Sequence, residues 1–233
     1  MCDRTEAAAA VPGRNAETIA AISTPFGTGG IGIIRISGPE ATSVAARIFR
    51  GRKKISEIKS HTVVHGRIID PADGHMVDDV LLIKMDAPNT FTGEDTIEIN
   101  CHGGIVVLNR VLSLVLRHGA RPAHAGEFTK RAFINGRMDL AQAEAVIDLI
   151  NSKTDEGSRA AAAQLQGKLS EKIRNARRRM IELIAGIEAS IEYPEEDIEE
   201  ITGEMVHSGI NEIREELHRT LQGFARGRLL REG

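Results

Sequence analysis

The chain has no tryptophan and a single tyrosine among its 233 residues, so its core has to be built from Ile, Val, Leu and Ala with six Phe. The same scarcity argues against a run of aromatic platforms for single-stranded nucleic acid. Only two cysteines are present, Cys2 and Cys101, too few for a disulfide framework and suited to a reducing cytoplasm. No apolar run reaches the roughly 18–20 residues that a bilayer requires, which argues against a membrane-spanning segment. The Ala-rich start MCDRTEAAAAVPGRNA lacks the basic opening of a signal peptide, and residues 1–16 are expected to be a disordered extension. A net charge of −3 excludes a wholly basic nucleic-acid coat while leaving room for a local patch. The phosphate-loop pattern GxxxxGK[ST] is absent throughout, which removes a P-loop from these residues.

What is present changes character near residue 137. Before it, short β-branched runs alternate with glycine turns; after it come Ala-, Glu-, Arg- and Leu-rich stretches with helical spacing. TIAAIS (18–23) and IGIIRIS (31–37) read as strands joined by TPFGTGG, and a helix is expected over 39–50 with Pro39 in its first turn. HTVVHGRIID (61–70) and MVDDVLLIKMD (76–86) flank an Asp-Gly turn and read as a hairpin. DTIEINC (95–101) is the next strand and GIVVLNRVLSLVLRHG (104–119) the next helix. The expectation is an α/β (α+β) fold in which helices cover a mixed sheet. Beyond it, MDLAQAEAVIDLI (138–150), a stripe from Leu165 to Ile191 stopped by Tyr193-Pro194, and a stripe from Ile210 to Phe224 predict amphipathic helices. The final LLREG carries no evident cap, as though the helical part continued.

Four features could carry chemistry. GTGGIG (27–32) is followed by a strand rather than a helix, the wrong context for a dinucleotide loop, and is read as a tight connection between strands. In FTGEDTIEINCHGG (91–104), alternation places Thr96, Glu98 and Asn100 on one face and Ile97, Ile99 and Cys101 on the other. Adjacent Cys101 and His102 point apart, which speaks against a metal cage. Glu98 is then either an exposed carboxylate on a half-buried strand or an acceptor for paired N–H groups of a flat heterocycle, with the following glycines and His102 as pocket walls. Arg35, among aliphatic neighbours, either reaches solvent or holds an anionic or carbonyl partner. RNARRRM (174–180) is either a solvated helix face or a phosphate contact.

In order and at similar separations, PFGTGGIGIIRISGPEA with FTGEDTIEINCHGG, then GEFTKRAFINGRMDLAQAEAVIDLI, then IEYPEEDI with LLREG resemble the tRNA modification GTPase family called MnmE or TrmE. The resemblance runs from about Thr18 to Gly233. It implies a folate-binding and dimerisation α/β domain over 17–137, similar to aminomethyltransferases, followed by a partial helical domain over 138–233. It implies a tetrahydrofolate derivative as cofactor, 5-formyl- or 5,10-methylene-tetrahydrofolate, contacted by an Arg, a Glu and a basic residue that fall here on Arg35, Glu98 and Arg137. Arg137 departs from the Lys often found in the family, exchanging a point charge for a planar fork.

The resemblance further implies a cytoplasmic homodimer that works with a flavin-dependent partner, MnmG or GidA, on the wobble uridine of tRNA. GTP, Mg and K belong to a GTPase domain that the family carries beyond LLREG and that these 233 residues do not contain. No residue is assigned a covalent catalytic role; orientation of the donor is the expected contribution. Two other readings remain open at this point: a stand-alone folate-dependent aminomethyltransferase, and a dimerisation module without a ligand.

Overall fold

The computed structural model describes residues 17–192 and 202–232, with side chains to residue 222 in the second segment. The expected extension at 1–16 and the Tyr193-Pro194 stop lie outside the described residues. The chain divides into two compact units, Met1–Met138 and Asp139–Gly233.

The first unit is built on a seven-stranded sheet. Its strands are β1 (Ile19–Ile22), β2 (Ile31–Ser37), β3 (Phe49–Gly51), β4 (Thr62–Ile69), β5 (Met76–Met85), β6 (Thr96–His102) and β7 (Arg121–Pro122), in the spatial order β3-β4-β5-β6-β2-β1-β7. All neighbours pair antiparallel except β1 with β7. The fold is therefore a mixed α/β architecture, as the alternation of strand and helix patterns predicts. The expected hairpin is β4–β5, closed by Asp70 and Gly74, whose φ of 76° only glycine adopts freely.

Helices α1 (Ala41–Ile48) and α2 (Ile105–Arg117) cover one sheet face. Val44, Ala45 and Ile48 of α1 and Leu108, Val111, Leu114 and Val115 of α2 bury themselves against Ile34, Ile36, Leu82, Ile97 and Ile99. This core is almost wholly aliphatic, as the composition requires. α2 comes so close to β2 that a Cβ on Gly32 would lie 2.5 Å from Leu108 Cδ1. The helix expected over 39–50 is shorter: Glu40 is its N-cap, Pro39 precedes it, and Phe49–Gly51 turns out to be an edge strand. The reason is tertiary, because the Phe49 ring packs where Gly51 and Gly66 leave room for it. A third helix, α3 (Glu127–Ile134), follows β7.

The second unit is helical: α4 (Leu140–Asn151), α5 (Asp155–Leu165), α6 (Lys168–Glu192) and α7 (Gly203–Glu232). α4 opens with a capping box between Asp139 and Gln142, and Thr154 Oγ1 caps α5 by accepting from the Gly157 N–H. Leu165, expected to start the long stripe, belongs instead to α5. Gly167, at φ 82°, breaks the run, and α6 starts after it. Within α6, Ala176 is buried while Ile173, Met180, Ile184 and Ile191 are exposed. Among the described residues no helix is long and apolar enough to cross a membrane.

Candidate functional site

Antiparallel pairing sets Arg35 of β2 directly opposite Glu98 of β6. Because side chains alternate across a strand, both point away from the face that α1 and α2 cover. Arg35 Nε donates to Glu98 Oε1 at 2.8 Å and Nη2 lies 2.7 Å from the same oxygen. Both short contacts fall on Oε1. Glu98 Oε2 and the Nη1 end of the guanidinium make no bond among the described residues, so the pair presents an acceptor beside a donor.

Two rings stand over the guanidinium. Phe91, from the loop before β6, and Phe128, from α3, place their centroids 5.7 and 5.6 Å from Arg35 Cζ. Cation–π attraction of about 0.5–2 kcal/mol each holds the fork in place. The combination of a hydrogen-bonding edge with aromatic and aliphatic walls suits a flat polar heterocycle. It settles one of the open alternatives: Arg35 is not simply directed to solvent, because it has both an anionic partner and aromatic company.

One end of this face is sealed by a buried polar network. Ser37 Oγ lies 2.7 Å from Thr92 Oγ1 and donates to Glu94 Oε2 at 2.9 Å. Arg131 of α3, with only 1% of its side chain exposed, donates through Nη1 to both Glu94 oxygens at 3.2 and 3.0 Å and to Glu17 O at 2.9 Å. Its Nη2 donates to Glu127 Oε1 at 3.1 Å. Arg121 grips Glu127 from the other side at 2.6 and 2.8 Å. The Arg121 guanidinium, helped by the His124 N–H and Arg131, holds the Glu127 carboxyl down at about 2. Arg131 Nε is buried without a partner. The network therefore ties α3 to the 90–95 loop, and with it Phe128 to Phe91. Glu94, conspicuous in the sequence among acidic neighbours, is a partner of Arg131, and Asp95 accepts from the Ala87 N–H.

Arg137 bonds neither Arg35 nor Glu98. Its Nε donates to Thr90 O at 3.0 Å, one residue before Phe91, and Asn135 Nδ2 donates to Thr92 O at 2.7 Å. A Cβ on Gly93 would lie 3.2 Å from Arg137 Cγ, so the turn after α3 is stitched closely onto the ring-bearing loop. The structure thus brings Arg35 and Glu98 into contact and ties Arg137, from the turn after α3, to the loop that carries Phe91. Sequence reading missed Phe91, Phe128 and Arg131: Phe91 lies in a loop without periodicity, and α3 is only eight residues long and gives little to detect, the i,i+4 spacing of Glu127 and Arg131 being the available signal.

At the far end of β6, Cys101 is buried and His102 is exposed on the opposite face. Burial pushes the Cys101 thiol up to about 12, which makes it unreactive. In the helical unit the basic run is partly neutralised: Arg179 pairs with Glu212 at 2.7 Å and Glu216 at 3.3 Å. These residues line an open groove of about 690 Å³ between α6 and α7. It contains none of Arg35, Glu98 and Arg137 and has no Phe or Tyr in its wall, so the Arg35–Glu98 face is the better candidate.

Comparison with known proteins agrees with the sequence motifs. The family described as "GTP-binding protein TrmE N-terminus" matches residues 18–137, just over half of the chain, and the "MnmE helical domain" matches residues 140–233. Proteins named tRNA modification GTPase MnmE are 60% identical over 217 residues in Acetivibrio thermocellus, 52% over 219 in Carboxydothermus hydrogenoformans and 49% over 218 in Staphylococcus aureus. Each alignment covers 93% of this chain but only 47–48% of the relative; the chain spans about half the length of the curated relatives it matches. With both stretches matched in order, the chain belongs to the MnmE (TrmE) family.

Proposed function

We propose that this chain is the folate-binding and dimerising part of a tRNA modification protein, acting in the cytoplasm, and that Arg35, Glu98 and Arg137 hold a tetrahydrofolate one-carbon donor. The observation that carries the reading is the Arg35–Glu98 pair beneath Phe91 and Phe128. A carboxylate whose second oxygen is still available can accept from the amino and ring N–H groups of a pterin, and the neighbouring guanidinium can donate to its carbonyl. Arg137, tethered through Nε to the loop that bears Phe91, keeps the rest of its fork for a carbonyl or carboxylate oxygen.

When bound, the tetrahydrofolate, as the 5-formyl or 5,10-methylene form, supplies the carbon of the C5 aminomethyl-type group on the wobble uridine. The protein's own contribution is to bind and orient that donor in a site with aromatic walls. A homodimer working with a flavin-dependent partner of the MnmG type completes the reading. The relatives are named GTPases, and this chain contains no P-loop motif, so no nucleotide chemistry is assigned to these residues.

Calorimetric titration of 5-formyl-tetrahydrofolate into wild type and Glu98→Ala tests the assignment. Loss of a charged hydrogen-bonding partner is expected to weaken binding by about tenfold or more. Equal affinity of the two proteins would remove Glu98 from the site.

A further inference from the structure

The face that carries Arg35 and Glu98 is graded from end to end. At the Ser37–Thr96 end, side chains are fully buried beneath Thr92, Glu94 and Arg131. Two residues along, the side chains of Arg35 and Glu98 are 28% and 16% exposed. Two further along, Ile33 faces Asn100, with Leu81 of β5 beside it. At the other end Ile31, 67% exposed, faces His102, whose side chain is 71% exposed. A ligand whose flat head sits at Arg35–Glu98 is blocked toward Ser37 and has open strand face toward His102.

His102 is held by more than its strand pairing with Ile31. Asp78, itself buried, takes the ring Nδ1 at 2.6 Å with one oxygen and the His102 backbone N–H at 2.8 Å with the other. That double grip fixes the ring orientation and assigns the Nδ1 proton to the carboxylate side, leaving Nε2 to point elsewhere. The hydrogen bond to Asp78, then its charge and that of Asp79, favours the imidazolium. The other charged groups on this side are Asp79, His65 paired to it at 2.8 Å, and Arg67 at 3.9 Å from it. Four residues of strand separate Glu98 from His102, about 13 Å at strand rise. The strip between them is lined mainly by Ile33, Asn100 and Leu81.

A polar head site, an apolar middle and a pinned imidazole at the open end form a sequence of surfaces that matches a folate's pterin, aryl and carboxylate parts. We propose that His102, oriented by Asp78, is a binding residue for the carboxylate end of the tetrahydrofolate, whose aryl segment lies along Ile33, Asn100 and Leu81. This rests on the folate reading above and extends it to the tail.

The test compares two ligands on the full chain by calorimetry: 5-formyl-tetrahydrofolate, and the corresponding 5-formyl-6-methyl-tetrahydropterin that lacks the aminobenzoyl-glutamate. His102→Gln is expected to weaken the first by about fivefold, the effect of losing an exposed charged pair, and to leave the second unchanged. Asp78→Asn, which keeps the imidazole but loosens it, is expected to give the same split with a smaller loss, and serves if His102→Gln fails to fold. Glu98→Ala is expected to weaken both ligands. A His102→Gln protein that binds the full ligand as wild type does, or loses both ligands equally, overturns the tail assignment while the Glu98 result still stands. If wild type binds neither compound, the head site falls and the tail site with it.

Discussion

Replacing Arg131 by Met removes a guanidinium that is almost fully enclosed and leaves its partners in place. Glu127 keeps both contacts with Arg121 and the His124 N–H, so it loses little. Glu94 loses its two bonds from Nη1 and keeps the hydroxyl of Ser37, with its side chain only 11% exposed. A carboxylate stranded in this way typically costs about 3–5 kcal/mol, and the small remaining exposure of Glu94 places the expectation near the lower figure. That is a large share of a domain stability of roughly 5–15 kcal/mol. With no tryptophan and the single tyrosine, Tyr193, in the other unit, intrinsic fluorescence is a poor reporter. Urea unfolding followed by far-UV circular dichroism is the assay, with hydrogen exchange of β2 and β6 amides to assign the transition to the first unit. For a slope of about 2 kcal/mol/M the midpoint falls by roughly 1.5 M. Arg131→Met/Glu94→Leu, which exchanges the pair for apolar groups, is expected to regain at least half of the loss, because a paired buried charge contributes little over a good hydrophobic replacement. A single mutant within about 1 kcal/mol of wild type, or a double mutant no better than the single, refutes the reasoning.

Other outcomes follow from the same structure. Glu127, held at about 2 against an ordinary 4.5, contributes stability that is complete above pH 4.5 and is lost as pH falls through about 2; acid titration of Arg121→Ala should show that loss reduced. Gly66→Ala brings a Cβ to 2.3 Å from Phe49 Cζ and 2.6 Å from Arg50 O, and thermal melts should report a loss of about 1–3 kcal/mol. Arg137→Lys loses the Nε bond to Thr90 O and is expected to cost roughly 1 kcal/mol in chemical denaturation. Since the His102 cation is stabilised above the ordinary 6.5, the affinity advantage of 5-formyl-tetrahydrofolate over its tail-less pterin should be full below that pH. It should shrink as pH rises through the raised value, and a flat profile would deny the charge a role.

The strands were legible because their alternation is strong. IGIIRIS and DTIEINC each put aliphatic residues on every second position, and both form strands, with Ile34, Ile36, Ile97 and Ile99 entering the core. The glycine connection at 27–30 was legible by its context, since a strand rather than a helix follows it. Less could be read at Phe49–Gly51 and at Gly167, where local pattern continued a helix that the fold interrupts. In the first case a distant glycine on β4 accepts the ring; in the second a left-handed glycine, Gly167, breaks the run two residues after Leu165, the last residue of α5.

For the site, period-two alternation and the family motifs singled out Arg35 and Glu98 one strand at a time. Neither could say that the two are directly opposed, because register between strands 63 residues apart is a property of the folded sheet. The same holds for Phe91 and Phe128, which share the Arg35 guanidinium only because Arg131, Glu94 and Glu127 bind α3 to the loop. Composition and local periodicity determined that this protein has an aliphatic-cored α/β unit followed by amphipathic helices, since those depend on neighbouring residues. Which carboxylate meets which guanidinium, and which end of the strand face stays open, was decided by tertiary structure, since those depend on contacts that only closure of the sheet and docking of α3 create.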